Sequence, residues 1–183
     1  MTIGKHDCKI AGNTHLKQAI EIGLDEALTA LEESFYDLTD EQVWAFPIQG
    51  RNNIAWIVMH CLHNLDNCGI GAQAGERLLA NESRWNLWGC SEAERPKAGD
   101  SFPGTSEMLE SLERIRNAAF EALTPADESE LAAKVFDHPG KPTRSDFYMR
   151  TICHTMAHVR QIWALRGLLG QVSQSAWARQ HWA

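Results

Sequence analysis

Residues 145–170 read SDFYMRTICHTMAHVRQIWALRGLLG. At about 100° per residue, Phe147, His154, His158, Gln161, Leu165 and Leu168 share one stripe of a helix. Ile152, Met156, Val159 and Trp163 make a second stripe on the opposite face. The spacing predicts a helix from about Ser145 to Leu169, ended by Gly170 in the left-handed conformation. A helix apolar on both faces is buried twice, once against its neighbours and once in a cavity or a subunit interface. On that ground a homodimer is the expected assembly.

Three earlier stretches carry the same period, and nothing alternates with period two long enough to make a strand. The first helix is expected from about Thr14 to Tyr36, burying Leu16, Ile20, Leu24, Ala27, Leu28, Leu31 and Phe35. LTDEQVWAFP then reads as a short turn stopped at Pro47. The second helix starts at Asn52 or Asn53, either a good N-cap, and continues to about Gly71. The third spans about Ser106 to Leu123, with Met108, Leu112, Ile115, Ala119 and Leu123 on one stripe and Pro125 at its end. The expectation is an all-α four-helix bundle forming one domain over residues 1–183, with its core between about 14 and 172. Two connections are long for such a bundle, where roughly 2 to 8 residues is usual. One is the Trp-containing stretch 75–104, between the second and third helices. The other holds DHPGKPTRS, between the third and fourth.

Composition narrows the functional classes. With 24 acidic and 17 basic residues the chain carries a net charge of -7, which repels phosphate backbones and argues against nucleic acid and anionic membranes as partners. No run approaches the roughly 18 to 20 apolar residues that span a bilayer. The N-terminal MTIGKHDCKIAGNTH lacks the apolar stretch of a signal peptide, so a cytoplasmic protein is expected. Five cysteines without a CxxC pair suit reduced thiols, Cys61 and Cys153 serving as small hydrophobes within helices.

The chemistry sits with the histidines. His154 and His158, one turn apart, are close enough to share a metal ion, and two adjacent imidazoles in apolar surroundings need partners. HTMAH has no glutamate after its first histidine, so it lacks the general base of the zincin proteases. On the second helix His60 lies opposite the stripe of Ile54, Val58, Leu62 and Leu65 and shares its face with Asn53, Trp56, Asn64 and Asn67. That pattern also describes a plain solvated face, although Trp56 one turn before His60 is large enough to wall a pocket. His63 lies about 60° to one side. Either His60 or His63 is placed to reach the His154/His158 pair. Asp66, about 120° from His60, is not assigned as a base. Gln161 is expected to orient the site or to pack, and Asn64 to meet a substrate or water. Trp85, Trp88, Trp177 and Trp182 are read as anchors of their segments, or as covers for a pocket.

AWIVMHCLHNLD on the second helix together with HTMAHVRQIWALRGLLG on the fourth resembles the DinB-like superfamily, and LTDEQVW after the first helix resembles a further recurring feature there. The resemblance implies a four-helix protein holding a divalent metal on His60, His154 and His158, with water or substrate completing the shell. Three neutral imidazoles suit zinc, nickel, iron or manganese alike. An open fourth position is the catalytic pattern, used to lower the pKa of a bound water or thiol. Characterised relatives include transferases that use low-molecular-weight thiols, which implies thiol transfer to a small electrophile. A metal-containing binding or stress-response module without turnover, and a structural all-α dimer whose histidines are satisfied by hydrogen bonds, are the alternatives.

Overall fold

The computed structural model describes residues 14–66, 78–79, 97, 99–135 and 143–171. Among these are six helices: α1 (Thr14–Glu33), α2 (Asp40–Trp44), α3 (Ile54–Asn64), α4 (Thr105–Leu123), α5 (Glu128–Leu131) and α6 (Arg144–Leu168). The four long ones are those expected from periodicity, and the fold is all-α. A single pairing between Lys134 and Thr143 is the only β-type contact among the described residues.

On α1, Ile20, Leu24, Ala27, Leu28, Leu31 and Phe35 are buried as expected, whereas Leu16 in the first turn is exposed. The helix stops at Glu33 rather than Tyr36, because the Phe35 N–H shortens its reach to the carbonyl of Glu32. The α4 stripe from Met108 to Leu123 is buried at every expected position.

The segment expected to be a plain turn contains α2 and joins three helix ends. Thr39 and Gln42 form a reciprocal capping box that starts α2. The residue after Thr39 is Asp40, whose carboxylate accepts from the Thr105 N–H at 2.8 Å and so caps α4 from outside that helix. Gly104 at the α4 N-cap has no side-chain cap of its own, and a Cβ there would sit 2.8 Å from an Asp40 oxygen. The Trp44 indole donates to the Pro103 carbonyl at 2.9 Å, and the Asn53 amide donates to the Trp44 carbonyl at 3.1 Å. Asn53, not Asn52, then caps α3 by accepting from the Trp56 N–H.

α3 is buried on all sides from Ile54 to Leu62, so it is the central helix of the bundle and not an amphipathic surface helix. Its expected continuation to Gly71 lies outside the described residues. Just past α3, buried Asp66 accepts from the Leu78 and Leu79 N–H groups at 2.9 and 2.8 Å. This carboxylate is committed to those two N–H groups, in keeping with its not being assigned as a base.

α6 corrects the picture of two opposed apolar faces. Its most buried line is Tyr148, Thr151, Thr155, Val159, Ile162 and Arg166. The histidine stripe and the Ile152–Met156–Trp163 stripe are the two flanks of that one broad face; Ile152, Met156, Trp163 and both histidines are half-buried there. Leu168, expected within the apolar stripe, is 60% exposed. Two threonines and an arginine at the centre of the seam hid its position from a hydrophobicity count. The Arg166 guanidinium forks onto the Asp37 carboxylate at 2.6 and 3.0 Å and also donates to the Ser34 carbonyl, tying the end of α6 to the end of α1. Thr143 and Asp146 box the start of α6, and Gly170 ends it with a φ of 70°.

Candidate metal centre

α3 and α6 bring His60 against His154 and His158. The Nε2 atoms of His60 and His154 are 3.1 Å apart. Ring centroids lie 4.9 Å apart for His60 with either partner and 4.5 Å for His154 with His158. One ligand-type nitrogen from each ring falls within 4.8 Å of the other two, the only such group of three among the described residues. His63, the other candidate on α3, is not part of it.

Each ring is held by its surroundings. The Trp56 indole stacks on His60 with centroids 4.9 Å apart and planes within 11°, which walls the site as its position one turn earlier suggested. His60 is 7% exposed, so the solvated-face alternative fails for it, while His154 and His158 are half-buried. His158 Nδ1 donates to Gln161 Oε1 at 2.9 Å. That bond fixes the tautomer of His158 and turns its Nε2 lone pair toward a ligand. Gln161 therefore orients a ring of the cluster, from an exposed position that does not pack in the core.

Burial, followed by the neighbouring imidazoles His158, His154 and His63, lowers the His60 pKa to about 4. Burial first, then His158 and Arg150, lowers that of His154 to about 4. His158 is lowered by burial as well, opposed by its bond to Gln161. All three rings are thus neutral at physiological pH, the form that binds metal.

The donor set fits a divalent ion. One hydrogen bond between His60 and His154 leaves His60 Nδ1 buried without a partner among the described residues. Three convergent, neutral, desolvated imidazoles gain more from an ion than from each other. Asn64 is half-buried, with its amide oxygen unpartnered, and is not within the cluster. Cys61 is a buried free thiol, its pKa pushed up by burial. Cys153 is exposed, which corrects its reading as a core hydrophobe. Cys8, Cys68, Cys90, Trp85, Trp88, Trp177 and Trp182 lie outside the described residues. No helix is long and apolar enough to cross a membrane among the residues described.

Reading the sequence alone missed Thr151 and Thr155 in the α6 seam, the Arg166–Asp37 clamp and the Asp40 cap. The T-x-x-Q and T-x-x-D boxes at Thr39 and Thr143 were signals for the two helix starts. Nothing local signals an arginine pairing 129 residues away.

No curated protein matches the chain. Among solved structures it is similar to a conserved protein from Enterococcus faecalis, with 18% identity, a TM-score of 0.63, and coverage of 84% of this chain and 97% of that one. This likeness concerns the fold. The family comparison matches residues 24–162 to the DinB superfamily, a span that includes α2, α3, α4 and all three clustered histidines. With a match over most of its length, the chain belongs to the DinB superfamily.

Proposed function

We propose that the protein is a divalent-metal-dependent enzyme whose ion is held by His60, His154 and His158, and that it transfers a low-molecular-weight thiol to a small electrophile. The observation that carries this reading is the convergence of three ligand-type ring nitrogens within 4.8 Å, drawn from two helices. A divalent ion held there supplies Lewis acidity, lowering the pKa of a bound water or thiol toward neutrality.

The rest follows from the chain's own residues. Burial and mutual repulsion keep the imidazoles unprotonated, so their lone pairs are available without competition from protons at neutral pH. Gln161 holds His158 in one tautomer, and the Trp56 ring restricts His60 to one plane. His60, His154 and His158 would hold the ion and would leave it an open position for substrate. Among the described residues no carboxylate belongs to the cluster, and Asp66 is committed to the Leu78 and Leu79 N–H groups. A thiol activated by metal needs no separate strong base, which favours thiol chemistry over a mechanism driven by a carboxylate.

The test loads the protein with zinc, nickel, iron or manganese and follows consumption of a low-molecular-weight thiol with a small electrophile. Turnover that requires metal and disappears in His154→Ala/His158→Ala supports the proposal. Stoichiometric metal without turnover across thiols and electrophiles would instead favour the binding module.

A further inference from the structure

Between α3 and α6, beside the histidine cluster, lies a cavity of about 330 Å³. Ile48, Ile57 and Leu165 supply its apolar walls, and Arg51, Asn52 and Gln161 its polar lining. The volume lies within the range that small-molecule sites occupy.

Two of its three polar residues, Arg51 and Gln161, offer donors, while the third, Asn52, holds a buried Oδ1 with no partner among the described residues. Gln161 commits its carbonyl oxygen to His158, so its amide nitrogen, with two N–H donors, is left to face elsewhere. That nitrogen has no acceptor among the described residues. The Arg51 guanidinium likewise has no carboxylate partner among them, although its backbone N–H bonds to the Ile48 carbonyl. Among the described residues no Asp or Glu lines the cavity, in a chain whose net charge is -7. The exposed Arg51 cation and the unspent Gln161 amide donor above aliphatic walls are complementary to an anion on an apolar body.

We propose that this cavity binds a small apolar carboxylate, with the carboxylate on Arg51 and Gln161 and the apolar body on Ile48, Ile57 and Leu165. That the ligand is also the substrate of the neighbouring centre rests on the metal-enzyme reading; the carboxylate chemistry does not. Gln161 joins the two sites, because the same amide holds His158 and lines the cavity. By linkage, carboxylate binding and metal binding then alter each other by the same factor.

The probes are 3-phenylpropionate and its neutral amide, titrated into the full-length protein, metal-free and zinc-loaded, and followed by amide NMR. The proposal expects the acid to bind and to shift signals around Arg51 and Gln161. The amide should bind about tenfold more weakly, the worth of one hydrogen bond to a charged group. Arg51→Gln, at an exposed position, should erase the preference for the acid. Ala164→Phe, at another exposed position on the cavity lining, should block both probes. Equal affinity for acid and amide, or an unchanged preference in Arg51→Gln, would overturn the pocket. Binding lost in His154→Ala/His158→Ala but kept in Arg51→Gln would place the carboxylate on the metal centre and overturn it too. Acid-selective binding in a protein that takes up no zinc would sustain the pocket while removing the metal reading.

Discussion

His158 makes two commitments, its Nδ1 to Gln161 and its ring against His60 and His154. His158→Ala should therefore lower metal affinity by orders of magnitude while the far-ultraviolet circular dichroism stays helical, since alanine favours the helix. Full metal loading of that variant would remove His158 from the site. Gln161→Ala should weaken metal binding about 10- to 100-fold, the usual effect of freeing a ligand ring from its outer partner. Isothermal titration with zinc reads both. For His60 and His154 the sign of the pH effect follows from their lowered pKa values. Between the unfolded value of 6.5 and the folded value of about 4, the unfolded chain binds more protons. Stability of the metal-free protein should be full above pH 6.5 and decline as pH falls toward 4, which denaturant melts at pH 7 and pH 5 would detect. The residues of this centre were legible because HxxxH and the preceding tryptophan and histidine are each one helical turn apart. The choice of His60 over His63 was not, since the 60° between them on α3 decides nothing until α6 is in place.

At the scale of elements, the four long helices were readable from their 3.6-residue period, and α4 most clearly, because its stripe is apolar throughout and its other face polar. α6 was harder. Its buried centre carries Thr151, Thr155 and Arg166, so hydrophobicity marked the flanks and missed the seam. Val159→Asp would place a charge at a fully buried position of this seam and should cost about 4 kcal/mol or more. Wild-type stability in that variant would contradict the packing described. Asp37→Ala should cost about 2 to 3 kcal/mol by stranding the buried Arg166 guanidinium. By contrast Glu32→Ala, which frees the partly exposed Arg116, should cost less than about 1 kcal/mol. Urea melts of the two variants side by side test whether burial, and not the presence of an ion pair, sets the cost. α2 is invisible to periodicity because a five-residue helix shows no period, yet Asp40 ties it to α4 and Trp44 ties it to the start of α3.

For the whole molecule, α3 running through the centre of the bundle makes the histidine cluster a joint between α3 and α6. Metal binding and stability should therefore be linked. Zinc at about 100 times its dissociation constant should raise the melting temperature by roughly 5 to 10 °C, and a chelator should reverse the rise. Loss of the shift in His154→Ala/His158→Ala would trace it to these ligands. The most direct measurement is the metal content of the protein purified without a histidine tag, by elemental mass spectrometry, beside the His154→Ala/His158→Ala variant. The account predicts about one divalent ion per chain in the native protein and none in the variant. No bound metal after incubation with zinc, nickel, iron and manganese, or equal loading of both proteins, would contradict it.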